Sequence, residues 1–102
     1  MFDISGAGLF DDMVALALRL LCKFSKSLSY LDLSRNEIGP KSVEALKELI
    51  PALPLQYFIA SGCGINNNNF ANICLGLSNN TTLREVDFSK NQIGKYFSNN
   101  WL

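Results

Sequence analysis

Between Leu28 and Ile50 the apolar positions first alternate, at Leu31 and Leu33. They then recur at Val43, Leu46, Leu49 and Ile50, so the spacing changes from two residues to about 3.6. That change predicts a short strand, a tight loop and a helix in succession. The same figure returns at Phe58, Ala60, Cys63 and Ile65, again at Val86, Phe88, Asn91 and Ile93, and earlier at Phe2, Ile4, Ala7 and Leu9. The matching positions Phe2, Leu31, Phe58 and Val86 stand 29, 27 and 28 residues apart. A repeat of this length predicts units over 1–27, 28–54, 55–82 and 83–102. Strands are expected around Phe2 to Ile4, Leu31 to Leu33, Phe58 to Ala60 and Val86 to Phe88, with helices near 12–23, 41–50 and 68–77. The fourth unit has room for only half a helix, in which Trp101 aligns with the apolar Leu46.

Local signals refine the helices. Asp11 or Asp12 is placed to cap the first one, because a carboxylate accepts a free amide of the first turn and suits the positive helix end. Met13, Val14, Ala17, Leu20 and Leu21 match Ser42, Val43, Leu46, Leu49 and Ile50 and are expected to form the buried stripe. Leu16 and Leu18 then fall outward, as do Cys74 and Leu75 of the third helix. Gly39-Pro40 opens the second helix, where proline's missing donor would be unpaired in any case. Pro51 and Pro54 are expected to end it. Lys41, Glu44, Lys47 and Glu48 form its solvated face. The run Asn66 to Asn69 sits at a loop-to-helix junction, where asparagine caps helices and tolerates left-handed backbone.

With LxxLxLxxNxI in each copy, the chain resembles the leucine-rich repeat family, and its helix-bearing unit resembles the ribonuclease-inhibitor-like class. The resemblance implies an α/β fold: a right-handed solenoid with parallel strands on the concave side and helices on the convex side. It also assigns Asn36 and Asn91 to a structural ladder, buried with their amides bonded to neighbouring loop backbone. Cys63 takes the same place, which resembles the family's exchange of asparagine for cysteine there. Ala7 cannot make that contact. In such a fold the role implied is a protein–protein interaction scaffold. Two other roles follow by analogy: a structural subunit of a large ciliary or cytoskeletal assembly, and a small-GTPase regulator, since Ran GTPase-activating proteins carry this repeat class. No arginine here can be carried over to the latter.

Alternation along a strand fixes which side chains the concave face offers. If Leu31 and Leu33 point inward, the outward set is Asp3, Ser5, Tyr30, Asp32, Ser34, Tyr57, Ile59, Ser61, Glu85, Asp87 and Ser89. This set contains four acids, two tyrosines and no base. The face is therefore expected to bind a protein segment with a basic surface, with Tyr30 and Tyr57 as aromatic anchors. Asp3, Asp32, Ser34, Ile59, Glu85 and Asp87 complete the contact set. Arg35 and Lys90 follow at the rim, where they could instead neutralise neighbouring acids.

Composition narrows the remaining classes. At 102 residues and 48% apolar the chain can bury one continuous core and has no room for a second domain. Formal net charge is zero, with no run of like charges, which removes the usual reason to expect nucleic acid or an anionic membrane as partner. The apolar run from Met13 to Cys22 is interrupted by Arg19 and is too short to span a bilayer, and no basic segment precedes it as in a signal peptide. Three cysteines without CxxC spacing and the lack of any histidine speak against zinc and for reduced thiols, hence a cytoplasmic setting. The sequons at Asn79 and Asn80 would then go unused. Without histidine, phosphate loop or paired nucleophile and base, neither catalysis nor a cofactor is expected. Apolar residues in the first and last units predict that further repeats or a partner subunit cover both ends.

Overall fold

A computed structural model describes residues 1–93. Trp101 and the expected half helix lie outside the described residues. Strands and helices alternate: β1 (Phe2–Asp3), α1 (Asp11–Phe24), β2 (Tyr30–Asp32), α2 (Pro40–Ala52), β3 (Tyr57–Ile59), α3 (Asn67–Ser78) and β4 (Glu85–Asp87). The four strands form one parallel sheet in chain order. Phe2, Leu31, Phe58 and Val86 are register partners across it, so the repeat period of the sequence is also the register of the sheet. Each helix is the crossover between adjacent parallel strands, and α2 packs on both α1 and α3.

The core lies between this sheet and the helix layer. Leu31, Leu33, Phe58, Ala60 and Phe88 enter from the sheet and its loops, and Val43, Leu46, Leu49, Ile50, Phe70 and Ile73 from the helices. The Phe88 ring meets Phe70 edge-on at 5.0 Å and Phe58 at 5.7 Å, the geometry that ring quadrupoles favour. Gly76 takes the place of Leu49 for a steric reason. A Cβ there would come within 3.3 Å of the Lys47 backbone, so α3 approaches α2 as closely as glycine allows.

Three expectations about the helices need correction. In α1 the buried residues are Val14, Ala15 and Leu18, while Met13 and Leu20 are exposed and Ala17 and Leu21 half-buried. A helix in this fold is covered on two sides, by the sheet and by its neighbour. For α1 the described neighbour is α2, so Leu18 faces inward and the stripe turns toward α2. Helix α2, second, runs through Pro51 and stops at Ala52. Pro54 is what ends it, by forcing Leu53 out of the helical region to φ −116°, ψ 152°.

Third, the N-cap of α1 is Phe10, with no side-chain bond, and Asp11 acts elsewhere. Its carboxylate accepts the backbone N–H groups of Gly39 (2.8 Å), Lys41 (3.0 Å) and Ser42 (2.9 Å), capping α2 from the preceding repeat. Gly39, the N-cap of α2, is glycine because a Cβ would come within 2.9 Å of that carboxylate. In return the Asp11 amide donates to the Glu37 carboxylate at 2.9 Å, and the Ser42 hydroxyl to the Asp11 carbonyl. Helix α3 is capped locally, as expected, by Asn66 Oδ1 on the Asn69 amide. The far end of α2 is held by Asn80, whose Nδ2 donates to the carbonyls of Ile50 and Leu53.

Candidate functional site

The sheet positions its solvent-side residues in two rows that cross the strands. Tyr30, Tyr57 and Glu85 form one, and Asp3, Asp32, Ile59 and Asp87 the other. Apart from the exposed Asp3 and Glu85 these residues are half-buried. Tyr30 and Tyr57 lie 6.0 Å apart between ring centroids at 42°, a tilted contact on adjacent strands. Ile59 separates Asp32 from Asp87, whereas Asp3 and Asp32 are direct neighbours, a like-charge pair that costs stability when nothing balances it. Among the described residues the ion pairs are Arg19–Glu48 and Lys47–Glu44, both on helices, and none involves a floor acid.

Three of these acids also hold turns. Asp3, Asp32 and Asp87 each accept the amide of the serine two residues on: Ser5 at 2.8 Å, Ser34 at 2.9 Å and Ser89 at 2.8 Å. Bonds from the Ser5 hydroxyl and amide, aided by Arg35 at longer range, keep the Asp3 carboxyl below the usual range. Ser89 and then Lys90 do the same for Asp87. Both are therefore firmly anionic at neutral pH. Arg35 and Lys90 occupy left-handed backbone at φ 58° and 59°, and Arg35 lies over Gly6 of the preceding unit.

Ser34 departs from the outward set. The strand ends at Asp32, so alternation no longer governs Ser34. The Asp32 turn swings it inward, and its buried Oγ accepts the Ser61 amide at 3.0 Å. Ser61 and Ser89 share a hydroxyl contact at 3.0 Å.

Beneath the floor, Asn36 is buried, with Oδ1 accepting from Leu9 and Nδ2 donating to Ile4, Leu33 and Ser34 carbonyls. Asn91 makes the equivalent set, from the Cys63 and Ile65 amides and to the Ala60, Phe88 and Ser89 carbonyls, but it is half-buried rather than buried. The difference is that the Asn91 turn is covered by a described unit on one side alone. Cys63 reproduces half of the pattern: Sγ donates to the Leu33 carbonyl at 3.3 Å. Burial pushes this thiol up, so it stays protonated and inert.

No cluster of three or more histidine, cysteine or acidic side chains suited to a metal occurs among the described residues, and no helix there is long and apolar enough to cross a membrane. Sequence reading missed Asp11 and Asn80 as inter-repeat caps. The one available signal was Gly39, an N-cap residue with no side chain to offer.

A parallel sheet in chain order, backed by helices and threaded by asparagine-bonded turns, defines a leucine-rich repeat solenoid. The chain belongs to the leucine-rich repeat family, whose pattern, described as Leucine Rich repeat, matches residues 24–47 and 79–95. Over 74 residues, 71% of this chain, it is 34% identical to the human NACHT, LRR and PYD domains-containing protein 3, and it spans 7% of that protein's length.

Proposed function

We propose that the chain is a protein-interaction module and that its sheet face binds a basic, extended protein segment. The observation that carries this reading is the carboxylate row Asp3, Asp32 and Asp87, which no ion pair among the described residues neutralises, beside the tilted Tyr30–Tyr57 pair. A cationic partner gains Coulomb energy at Asp32 and Asp87, where half-burial weakens solvent screening. The tyrosines supply rigid apolar area with a polar tip, the kind of anchor that concentrates binding energy. Asp32 and Asp87 sit two strands apart, about 9.6 Å. An extended segment of polyproline-II type has three residues per turn at about 3.1 Å each, so lysines or arginines at i and i+3 share one face and fit the row.

Because Asp32 and Asp87 also hold turns, the test uses Asp32→Asn with Asp87→Asn, which keep an acceptor, together with Glu85→Lys at a site outside the turns. A lysine- and arginine-rich peptide serves as probe. The triple variant is expected to associate more slowly and with a flatter salt dependence than wild type, at unchanged melting behaviour. Equal affinity and equal salt slope for the two chains would remove the concave site from consideration.

A further inference from the structure

Asp32 and Asp87, which would receive the two basic residues of the proposed segment, have different neighbours on the sheet. Two residues before Asp32, on the same strand and the same face, stands Tyr30. Two residues before Asp87 stands Glu85. Tyr57 lies between them in the row, and its ring is in contact with that of Tyr30. The Asp32 end therefore sets a carboxylate beside an aromatic pair, and the Asp87 end sets a carboxylate beside a second carboxylate. The strands that carry the tyrosines, β2 and β3, are each paired on two sides, so described strands fix the arrangement.

The chain makes no use of this aromatic pair itself. Neither tyrosine hydroxyl has a hydrogen-bond partner among the described residues, and the cation that lies over a ring there is Lys23, over Phe24. The interplanar angle of 42° keeps the two rings from covering each other face to face. Asp32 gives Oδ1 to the Ser34 amide, which leaves Oδ2 to accept from a ligand. A guanidinium is planar and weakly hydrated, so it can lie on a ring face while its N–H edge donates to the carboxylate about 6.6 Å along the strand. A lysine ammonium is a compact, strongly hydrated point charge and gains less from the rings. At Asp87 the neighbour on the strand is Glu85, so charge alone decides and either cation serves.

We infer that the sheet face selects arginine at the Asp32 end, seated on the Tyr30–Tyr57 pair, and accepts either basic residue at the Asp87 end. The inference rests on the sheet-face reading, and the test separates the two. The probes are proline-flanked synthetic peptides of equal charge with Lys-Pro-Pro-Lys, Arg-Pro-Pro-Arg or either mixed order at their centre, titrated against the full chain. The double-arginine peptide is expected to bind about fivefold tighter than the double-lysine peptide. The better of the two mixed orders is expected to come within about twofold of double arginine, because one end alone reads the difference. Tyr30→Leu with Tyr57→Leu should bring the arginine-to-lysine ratio to about one, whereas Tyr30→Phe with Tyr57→Phe keeps the ring faces and should keep the ratio. Circular dichroism melts check that each variant folds, and if the leucine pair does not, the phenylalanine pair and the mixed peptides decide. Equal binding of double-lysine and double-arginine peptides overturns the inference and leaves the sheet face standing as a basic-segment site. So does a preference that survives in the leucine pair, one that disappears in a folded phenylalanine pair, or mixed peptides that both fall midway. Failure of all four peptides to bind removes the sheet-face reading and this inference together.

Discussion

Asp11 holds three amides of a helix to which it does not belong, and that makes it the residue with most to lose. Burial alone would raise its pKa, but the bonds from Ser42, Gly39 and Lys41 outweigh that effect and hold the carboxyl below the usual range. A carboxyl depressed in the folded state contributes stability that is complete above its unfolded pKa and is lost as pH falls through the folded value. Asp11→Ala should therefore cost about 1–2 kcal/mol at neutral pH, the range for losing a helix cap. Asp11→Asn keeps an acceptor and should cost less. Urea melts at pH 7 and pH 3 check the sign: the gap between wild type and Asp11→Asn should narrow in acid, and a gap that widens would contradict a charged cap. Asn36 is the other residue with no substitute. Asn36→Ala removes its bonds to Leu9, Ile4, Leu33 and Ser34 and leaves backbone groups unpaired, at about 1–3 kcal/mol by chemical denaturation.

Among the elements, α2 is finished at both ends by other repeats. Its first amides go to Asp11 and its last carbonyls to Asn80, because Gly39 has no side chain and the Leu53–Pro54 exit offers no amide at Pro54 to close the final turn. The partners lie 27 to 31 residues away in sequence, which is why local cap signals pointed Asp11 to its own helix. Strand placement was legible for the opposite reason, since register in a repeat is the repeat period itself. Faces of helices were less legible. The α1 pattern is apolar on several sides, and which side is buried depends on where the neighbour sits. On the sheet, alternation held to Asp32 and failed at Ser34, one residue after the strand gives way to a turn. Asn80→Ala tests the element directly. It should lower stability by about 1 kcal/mol and speed exchange of the amides in the last turn of α2, with α1 amides unaffected. Equal exchange throughout would mean that the Asn80 bonds do not hold that end. The same bonds commit Asn80 Nδ2, the atom a glycan would need, to the fold.

For the molecule as a whole, contacts between helices run from α1 to α2 and from α2 to α3, the nearest-neighbour pattern of a solenoid. Stability in such an array is approximately a sum of unit and interface terms, so the unit with two interfaces is the last to open. Here that unit holds α2, which is packed on both sides, has six buried residues, and is capped by both neighbours. Helix α1 has one covered flank and three buried residues. Native-state hydrogen exchange should therefore rank the amides of Val43 to Ile50 as the slowest in the chain and those of α1 as faster. Asp11→Ala should bring the two closer together, because it cuts the bond set that ties α1 to the start of α2. Measured at low concentration, α1 amides as slow as those of α2 would show that the stack does not open from this end and that neighbour count does not set the order.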